Sequence, residues 1–419
     1  MNVLILGSGG REHALAWKLA HSRGLSTLIC APGNPGTAGL AENVPVDPLN
    51  PEAVAALARA RAIHLVVVGP EAPLVAGVTD ALEKAGIAVF GPTAAAAQIE
   101  GSKAFAKEVM ARAEIPTAGC RVFERPEEAA AYARAFSSGA VIKMDGLAAG
   151  KGVVVARTGE EAAGAVAELS ALGPVGQRLL VEERLEGEEV SVIALCDGER
   201  FVLLPPARDH KRALDGDQGP NTGGMGVYAP SPSLNSADLA RIGEEVIGRA
   251  LAEMRRRGTP FRGALYAGLM LTQDGYRVLE FNARFGDPET QVLMLELDED
   301  LLPLLDACAR GALAPRPLKL YPGVAVGVVM ASEGYPRSPR KGDLITGVEG
   351  VQLPDGVTVF HSGTRMGSEG LVTDGGRVLT VCARAPDARA ARGLAYRQVD
   401  QIHFRGSHCR RDIAAHLVS

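Results

Sequence analysis

An acidic and an amide side chain close an apolar segment near residue 280. Residues 277–281 predict a buried strand that breaks into a loop. Glu280 and Asn282 are two positions apart, so on a strand both side chains project from the same face. Mg²⁺ is usually held by one or two such oxygen ligands together with substrate phosphates. The spacing therefore predicts a metal site at Glu280 and Asn282, against the alternative of a strand end with a solvated turn.

Three more charged residues follow at once, where the chain turns at Gly286 and Pro288. They are Arg284, Asp287 and Glu289. Such a concentration of charge in one decapeptide favours a functional site over incidental surface charges.

Length and composition restrict the classes of protein that remain. A chain of 419 residues predicts roughly two to four domains. Hydrophobic content of 47%, charged content of 22% and 50 glycines are typical of an α/β enzyme. The net charge of -5 and pI near 6.0 argue against a nucleic-acid-binding protein, which is usually basic. An anionic substrate would need a local basic patch.

The six cysteines are scattered without Cys-x-x-Cys or His/Cys clusters, which favours reduced thiols over disulfides or zinc. The chain starts without a signal-peptide pattern, and its apolar runs are shorter than the ~20 residues of a membrane helix. We expect a cytoplasmic protein without membrane contact.

Residues 1–100 alternate short apolar runs with Ala-rich helical stretches, which predicts a Rossmann-like parallel sheet. Its first strand ends in a glycine-rich loop that includes Gly9, Gly10 and Arg11, and a later one ends before Glu71. This loop predicts a phosphate or sugar-phosphate site. A structural turn and a nicotinamide site are alternatives, although Glu12 replaces the third glycine of the dinucleotide fingerprint.

Lysines are few in this chain, and several stand in motif-like stretches. Lys103 follows Ser102, a candidate helix N-cap. Residues 140–155 read as strand, glycine-rich turn and strand, which can cover a triphosphate as a flap rather than form a Walker loop. The residues that would face the phosphates are Lys143, Gly150, Lys151 and Gly152.

Two further stretches carry candidate ligands. Residues 180–192 read as strand, hinge and strand, where main-chain groups near Leu185 and the acids Glu182 and Glu188 could bind adenine and ribose. Residues 205–230 have no helix or strand periodicity. A long charged loop in a compact domain is usually functional or disordered, and we expect a functional loop that includes Asp209, Lys211 and Asn221.

The remaining segments predict a helix over 238–257, a hairpin of 263–272 with 277–281, and a helix over 301–309. After residue 315 the pattern is mainly β, with strands over 325–330 and 377–383 and a helix over 386–396. The chain ends in a basic segment.

Together these motifs resemble the ATP-grasp ligases, and most closely the phosphoribosylamine-glycine ligase (glycinamide ribonucleotide synthetase) family. The resemblance covers essentially the whole chain. Its most specific parts are Gly-Pro-Asn-Thr-Gly-Gly-Met-Gly at 219–226 and Arg-Phe-Gly-Asp-Pro-Glu at 284–289.

The resemblance implies a multidomain α/β and α+β fold. It consists of an N-terminal domain over 1–100, an ATP-grasp domain over 101–315 with a mobile lid at about 120–180, and a small, mainly-β C-terminal domain over 316–419. The implied protein is a monomer. The implied reaction uses ATP and Mg²⁺ or Mn²⁺ to join glycine to 5-phosphoribosylamine in purine biosynthesis.

The resemblance also implies residue roles. Arg284 would neutralise the migrating phosphoryl group, Asp287 would orient the substrate amine, and Arg410 and Arg411 would hold its 5′-phosphate. One departure concerns the metal. Many grasp enzymes supply a further metal carboxylate from the preceding strand, but residues 264–272 contain no acid.

Three other functions remain open at this stage. One is a grasp ligase that activates formate or bicarbonate, and the 205–226 motifs argue against it. The second is a nucleotide-sensing protein without turnover, which the full set of lysine, arginine and metal positions disfavours. The third is a nicotinamide oxidoreductase, which Glu12 disfavours.

Overall fold

The computed structural model describes residues 1–147, 152–172, 178–348 and 350–418. Its N-terminal part is a parallel sheet of five strands in the order β3-β2-β1-β4-β5, with helices between them, as predicted. Strands β1–β5 are Asn2–Gly7, Thr27–Pro32, Glu42–Asn43, Leu65–Val68 and Ala88–Phe90. Helices α1–α5 are Gly10–Ala20, Pro51–Ala60, Glu71–Val75, Val78–Lys84 and Ala94–Gly101. The wholly apolar β4 is buried, as expected for a parallel strand covered on both faces.

A second sheet is antiparallel, has the order β6-β9-β7-β8 and carries its own small core. Strands β6–β9 are Cys120–Phe123, Ala140–Met144, Val153–Val155 and Leu179–Glu183. Helices α6–α8 are Lys103–Arg112, Pro126–Arg134 and Gly159–Ser170. The Ser102 hydroxyl accepts the Phe105 N–H at 3.1 Å, which confirms the predicted N-cap.

A third sheet, also antiparallel, has the order β11-β10-β16-β17. Strands β10 and β11 are Glu188–Asp197 and Phe201–Leu203, and β16 and β17 are Arg262–Thr272 and Gly275–Asn282. Helices α9–α12 are Ser236–Ile242, Arg249–Arg256, Glu289–Glu296 and Leu301–Ala309, with a π-helical segment at Gly243–Gly248. The predicted hairpin and the helix over 301–309 are confirmed, whereas the helix expected over 238–257 is three successive helical segments.

The segment over 205–230 differs from the prediction, because it contains strands. β12 (Arg208–Asp209) and β15 (Gly226–Ala229) flank a hairpin of β13 (Arg212–Leu214) and β14 (Gln218–Asn221). β15 pairs with β18, so β12 and β15 belong to a sheet of order β12-β15-β18-β22-β19. The strands are too short for a period-two pattern, and β18, the second partner of β15, lies far along the sequence.

The rest of this sheet comes from the end of the chain, where the predicted strands and helix are found with shifted ends. Strands β18–β22 are Val324–Ala331, Val357–His361, Thr364–Gly367, Gly370–Thr373 and Arg377–Ala385, and α13 is Ala388–Val399. β20 and β21 form a separate hairpin. None of the helices in the described ranges is both long and apolar enough to cross a membrane.

Glu296, the last residue of α11, is an acid inside the core. It is 1% exposed, and burial raises its pKa to about 8 despite the nearby Arg384. Between pH 4.5 and 8 the folded protein thus holds a proton that the unfolded chain has released, so stability falls as pH rises. We expect Glu296→Gln to reduce this slope by about 1.4 kcal/mol per pH unit, measured by urea unfolding across pH 5–8. An unchanged slope would contradict the assignment.

Candidate active site

The two four-stranded antiparallel sheets meet at β7 and β17. Lys143 on β7 donates from Nζ to the Leu279 carbonyl at 2.9 Å. Nearby, the Thr117 hydroxyl donates to the Val278 carbonyl at 2.6 Å. These bonds bring a lysine of one sheet beside the end of the hairpin strand that carries Glu280.

Glu280 is the centre of a group of ammonium side chains. It is half-buried, and burial alone would raise its pKa, but Lys211, Lys143 and Lys103 outweigh burial and lower it. Lys103 is fixed by a bond from Nζ to the Gly146 carbonyl at 2.9 Å. An ionised carboxylate among three lysines suits a cation and a polyphosphate that bind together.

Asn282 lies beside Glu280, as the strand spacing predicts. Its Nδ2 is 3.5 Å from Glu280 Oε1, and its Oδ1 accepts from Arg284 Nη2 at 3.1 Å. Gly268 of β16 pairs with Glu280, so the neighbouring strand provides no side chain at this point that could bind a metal. Among the described residues, no three His, Cys, Asp or Glu side chains form a potential metal cluster. The pair fits a hard cation that takes its other ligands from phosphates and water.

Glu182 binds two lysines on one of its carboxylate oxygens. Oε2 is 3.1 Å from Lys143 Nζ and 3.0 Å from Lys107 Nζ, and the side chain is 2% exposed. Its Oε1 is buried without a hydrogen-bond partner in the described part of the chain. A buried carboxylate oxygen needs a donor, so Glu182 can accept one from a ligand. Sequence reasoning missed Lys107 in the site, although it is one helical turn from Lys103.

The other residues predicted to bind the nucleotide lie on the neighbouring linker and strands. Leu185 lies in the linker between β9 and β10, which confirms the predicted strand, hinge and strand. Glu188 Oε1 accepts from Arg208 Nη1 at 2.8 Å and from Ser233 Oγ at 2.5 Å. Gly152 is buried just before β8, while Gly150 and Lys151 lie outside the described residues.

Arg284 connects the end of β17 to the N-terminal part of the chain. Its Nε is 3.2 Å from Glu71 Oε2, and its Nη2 is 3.0 Å from Glu100 Oε1. Burial would lower the pKa of Arg284, but Glu100 and Glu71 raise it above its usual value. Arg284 therefore keeps its charge, and Glu100 is a site residue that sequence reasoning missed.

Asp287 is held by an arginine from the C-terminal sheet. Arg377 Nη2 is 3.2 Å from Asp287 Oδ2, and its Nη1 donates to the Asp287 carbonyl at 2.7 Å. Burial would raise the pKa of Asp287, but Arg377 and Arg11 lower it. Arg377 also donates to the Gly223 carbonyl at 2.5 Å, so it connects the loop between β14 and β15 to Asp287. No sequence motif marks Arg377.

Glu289 and Asp209 lie deeper, next to a cavity of about 10 Å³ that Ser191, Asp209, Lys211 and Tyr266 help to line. Glu289 accepts from Ser191 Oγ at 2.8 Å. Asp209 Oδ1 is buried without a partner among the described residues, and burial followed by Glu289 raises its pKa well above the usual value. Lys211 Nζ is 3.4 Å from Glu189 Oε2. The cavity thus contains donors and acceptors for a small polar group.

The glycine-rich loop after β1 is filled from inside by Glu12. Its Oε2 accepts the Gly9 N–H at 2.6 Å, and its Oε1 accepts from Arg11 Nε at 2.5 Å. A Cβ at Gly69 would lie 2.0 Å from Glu12 Oε1, and one at Gly7 would lie 2.6 Å from its Cγ. These glycines are explained by Glu12 without a bound dinucleotide. The Gly9 N–H, which was predicted to face a phosphate, is already engaged.

The predicted residues nearest the C-terminus differ in exposure. Arg410 is 1% exposed, and its guanidinium binds Asp412, Asp217 and the Arg212 carbonyl. Arg410 is therefore engaged within the chain, and its predicted phosphate contact stays a prediction. Arg411 pairs with Asp400 at 2.7 Å and is exposed.

Two other predicted substrate residues differ in their surroundings. Asn221 is exposed on β14, in the hairpin whose Arg212 carbonyl Arg410 contacts. Gly10 packs tightly, because a Cβ there would lie 2.5 Å from Ser362 Oγ.

A fold in which two antiparallel sheets meet over buried lysines, beside a Rossmann-like sheet, defines an ATP-grasp enzyme. The N, ATP-grasp (A) and C domain models of phosphoribosylglycinamide synthetase match residues 1–100, 101–290 and 325–416, respectively. The chain therefore belongs to the phosphoribosylglycinamide synthetase family, as predicted.

Relatives agree with this assignment over the full length. The chain is 51% identical to a phosphoribosylamine-glycine ligase of Streptomyces coelicolor, covering 99% of each chain. It is 49% identical to one of Rhodopirellula baltica, over 99% of this chain and 97% of the relative. The solved phosphoribosylamine-glycine ligase of Thermotoga maritima has a TM-score of 0.85 and 36% identity, over 99% of this chain and 100% of that one. The predicted enzyme class, an ATP-dependent ligase, is confirmed.

The fold extends to more distant enzymes. A biotin carboxylase domain of Hydrogenobacter thermophilus matches with a TM-score of 0.73 at 18% identity, over 97% of this chain and 91% of that one. At this identity the likeness is one of fold.

Proposed function

We propose that the chain joins glycine to 5-phosphoribosylamine and thereby converts ATP to ADP and phosphate, forming glycinamide ribonucleotide. The observation that carries the proposal is the ionised Glu280 among three lysines where the two grasp sheets meet. A carboxylate is a poor electrophile. Transfer of the γ-phosphoryl group to glycine gives glycyl phosphate, whose carbonyl carbon the substrate amine attacks while phosphate leaves.

The ATP side of this reaction rests on charge neutralisation and positioning. In the proposal, Lys103 and Lys143 bind the phosphates, and the free oxygen of Glu182 accepts a hydrogen bond from the nucleotide. Glu280 and Asn282 hold Mg²⁺ or Mn²⁺. The cation supplies charge neutralisation on the phosphate oxygens when it is bound.

On the substrate side, Arg284 faces the transferring phosphoryl group with its permanent charge. Asp287, kept ionised by Arg377, holds the substrate amine. In the proposal, Asp209, Lys211 and Glu289 contact glycine. The predicted contacts with phosphoribosylamine remain part of the proposal, and the residues are Gly9, Gly10, Arg11, Glu71, Asn221, Arg410 and Arg411.

The organisation of the whole chain is also proposed. We place domain boundaries at residues 100 and 315, with the lid over about 120–180, and we expect a monomer. β12 and β15 cross the second boundary, since they join the C-terminal sheet.

The proposal is tested by ADP release with ATP and Mg²⁺ in four mixtures. These contain glycine, fresh phosphoribosylamine, both together, or formate with glycinamide ribonucleotide. We expect release only when glycine and phosphoribosylamine are both present. Release only with formate would overturn the substrates while keeping the ATP site, and ATP binding without ADP in any mixture would favour a sensing protein.

A further inference from the structure

A second cleft lies between the C-terminal end of α1 and the C-terminal sheet, with a volume of about 370 Å³. Trp17, Lys18 and His21 line one side, and Tyr321 and Arg384 line another. A cleft of this size is within the usual range for small-molecule sites, which often lie between domains. None of these residues has a role in the ligase reaction described above.

Arg384 is the residue that points to a ligand. Its guanidinium carbon lies 3.8 Å from the centre of the Tyr321 ring, and the side chain is half-buried. Within the described ranges, this guanidinium has no hydrogen bond and no salt bridge. A guanidinium that lines a cleft with its donors unused can take a ligand there, and its planar fork matches a carboxylate or phosphate best.

The charges around the cleft select an anion. Its lining contains two cationic side chains and a histidine, and no acid among the described lining residues. Four acids lie outside the lining, and three of them, Asp298, Asp300 and Glu299, act on the charge of Lys18. Glu299 is paired with Arg316, and Asp300 accepts the N–H groups of Arg23 and Leu302. Asp298 is bonded to the Tyr321 hydroxyl, and burial raises the pKa of Glu296 to about 8. Lys18 donates one of its three N–H groups to the Leu297 carbonyl, which leaves two.

Aromatic side chains add a preference for a flat ring. Trp17 is half-buried and packs by ring contacts on His21 and Phe360, and aromatic rings stack readily on nucleobases. From the unpaired guanidinium, the lysine and the indole in one cleft, we infer that this site binds a small anion that carries a planar ring, the class that includes nucleoside monophosphates.

The cleft is separate from the catalytic site but joined to it by two packed helices. α1 begins at Gly10 and α11 begins at Glu289, both in the catalytic site, and both end at the cleft. Eleven residues of helix place His21 about 16 Å from Gly10. A ligand here would therefore not compete directly with ATP, and the inference does not depend on the proposed substrates.

Trp17 is the only tryptophan of the chain, so its fluorescence reports on the cleft directly. We expect AMP to change this fluorescence saturably, and Arg384→Gln to weaken the apparent affinity at least tenfold. Arg59→Gln, on exposed α2 surface, is the matched control and should respond like the parent. Lys143→Met, which removes a proposed phosphate contact of the catalytic site, should leave the fluorescence response intact.

Several results would overturn the inference. One is an AMP response that Arg384→Gln leaves unchanged or that Lys143→Met abolishes, because AMP would then be bound at the catalytic site. Another is equal affinity for inorganic phosphate and AMP, because the planar ring of the ligand would then contribute nothing to binding. Absence of binding in both fluorescence and equilibrium dialysis would refute it, as would a dimer, detected by sedimentation, that Arg384→Gln dissociates.

Discussion

Glu280→Gln is expected to reduce ADP formation by about 10³-fold or more while the protein stays folded. The neutral amide keeps the shape of the side chain but cannot balance Lys103, Lys143 and Lys211 or hold a divalent cation as a carboxylate does. The rate of ADP release with both substrates, measured over a range of Mg²⁺ concentrations, checks this expectation. The loss should not be recovered at high Mg²⁺.

Glu244→Gln provides the control for Glu280→Gln, since Glu244 is exposed on the π-helical segment and lies outside the site. It should retain parental activity. Circular dichroism and thermal unfolding establish that both variants are folded. Normal turnover in a folded Glu280→Gln protein would refute the metal and phosphate assignment.

Arg284→Ala is expected to lower kcat by about 10²–10³-fold, because one preorganised cation facing a transferring phosphoryl group is lost. The same change leaves Glu71 and Glu100 without their shared partner. The Glu100 side chain is 9% exposed, and burial already raises its pKa. We expect the free energy of unfolding to fall by about 1–3 kcal/mol.

Two readouts separate these effects of Arg284→Ala. Arg284→Lys restores a charge near both acids, so it should recover part of the stability but little of kcat, since a lysine lacks the planar fork. Arg249→Ala removes an exposed arginine with a single bond to the Glu114 carbonyl and serves as the control. Lowered stability with unchanged kcat would make Arg284 purely structural.

Much of the fold could be predicted because local pattern and final structure agree. The buried strands of the parallel sheet are apolar runs that end at glycine or proline, and the hairpin of β16 and β17 turns at Gln273-Asp274, within the predicted turn Gln273-Asp274-Gly275. The spacing of Glu280 and Asn282 was enough to predict that they are neighbours. Local rules therefore sufficed wherever a feature depended on nearby residues.

The rest depends on contacts between distant residues. β12 and β15 were missed because two to four residues carry no period, and because β12 pairs with β15, which itself pairs with the distant β18. Arg377 and Glu100 were missed because each is a single charged residue that matters only through the side chain it meets. The burial of Arg410 against Asp412 and Asp217 was missed for the same reason, because it is a property of the fold.

The pairing of β15 with β18 restricts the order in which parts of the fold can form during synthesis. Gly226–Ala229 leaves the ribosome roughly 100 residues before the strand it joins, which corresponds to about 5–20 s at ordinary translation rates. The five parallel strands of the first 90 residues pair only with one another, so their hydrogen bonds can form while the chain is still growing. One face of their sheet is covered later, when α12 is synthesised. The loop at Gly223, between β14 and β15, cannot make its bond to Arg377 until β22 has been synthesised. The nascent chain thus cannot assemble its substrate site until synthesis is nearly finished.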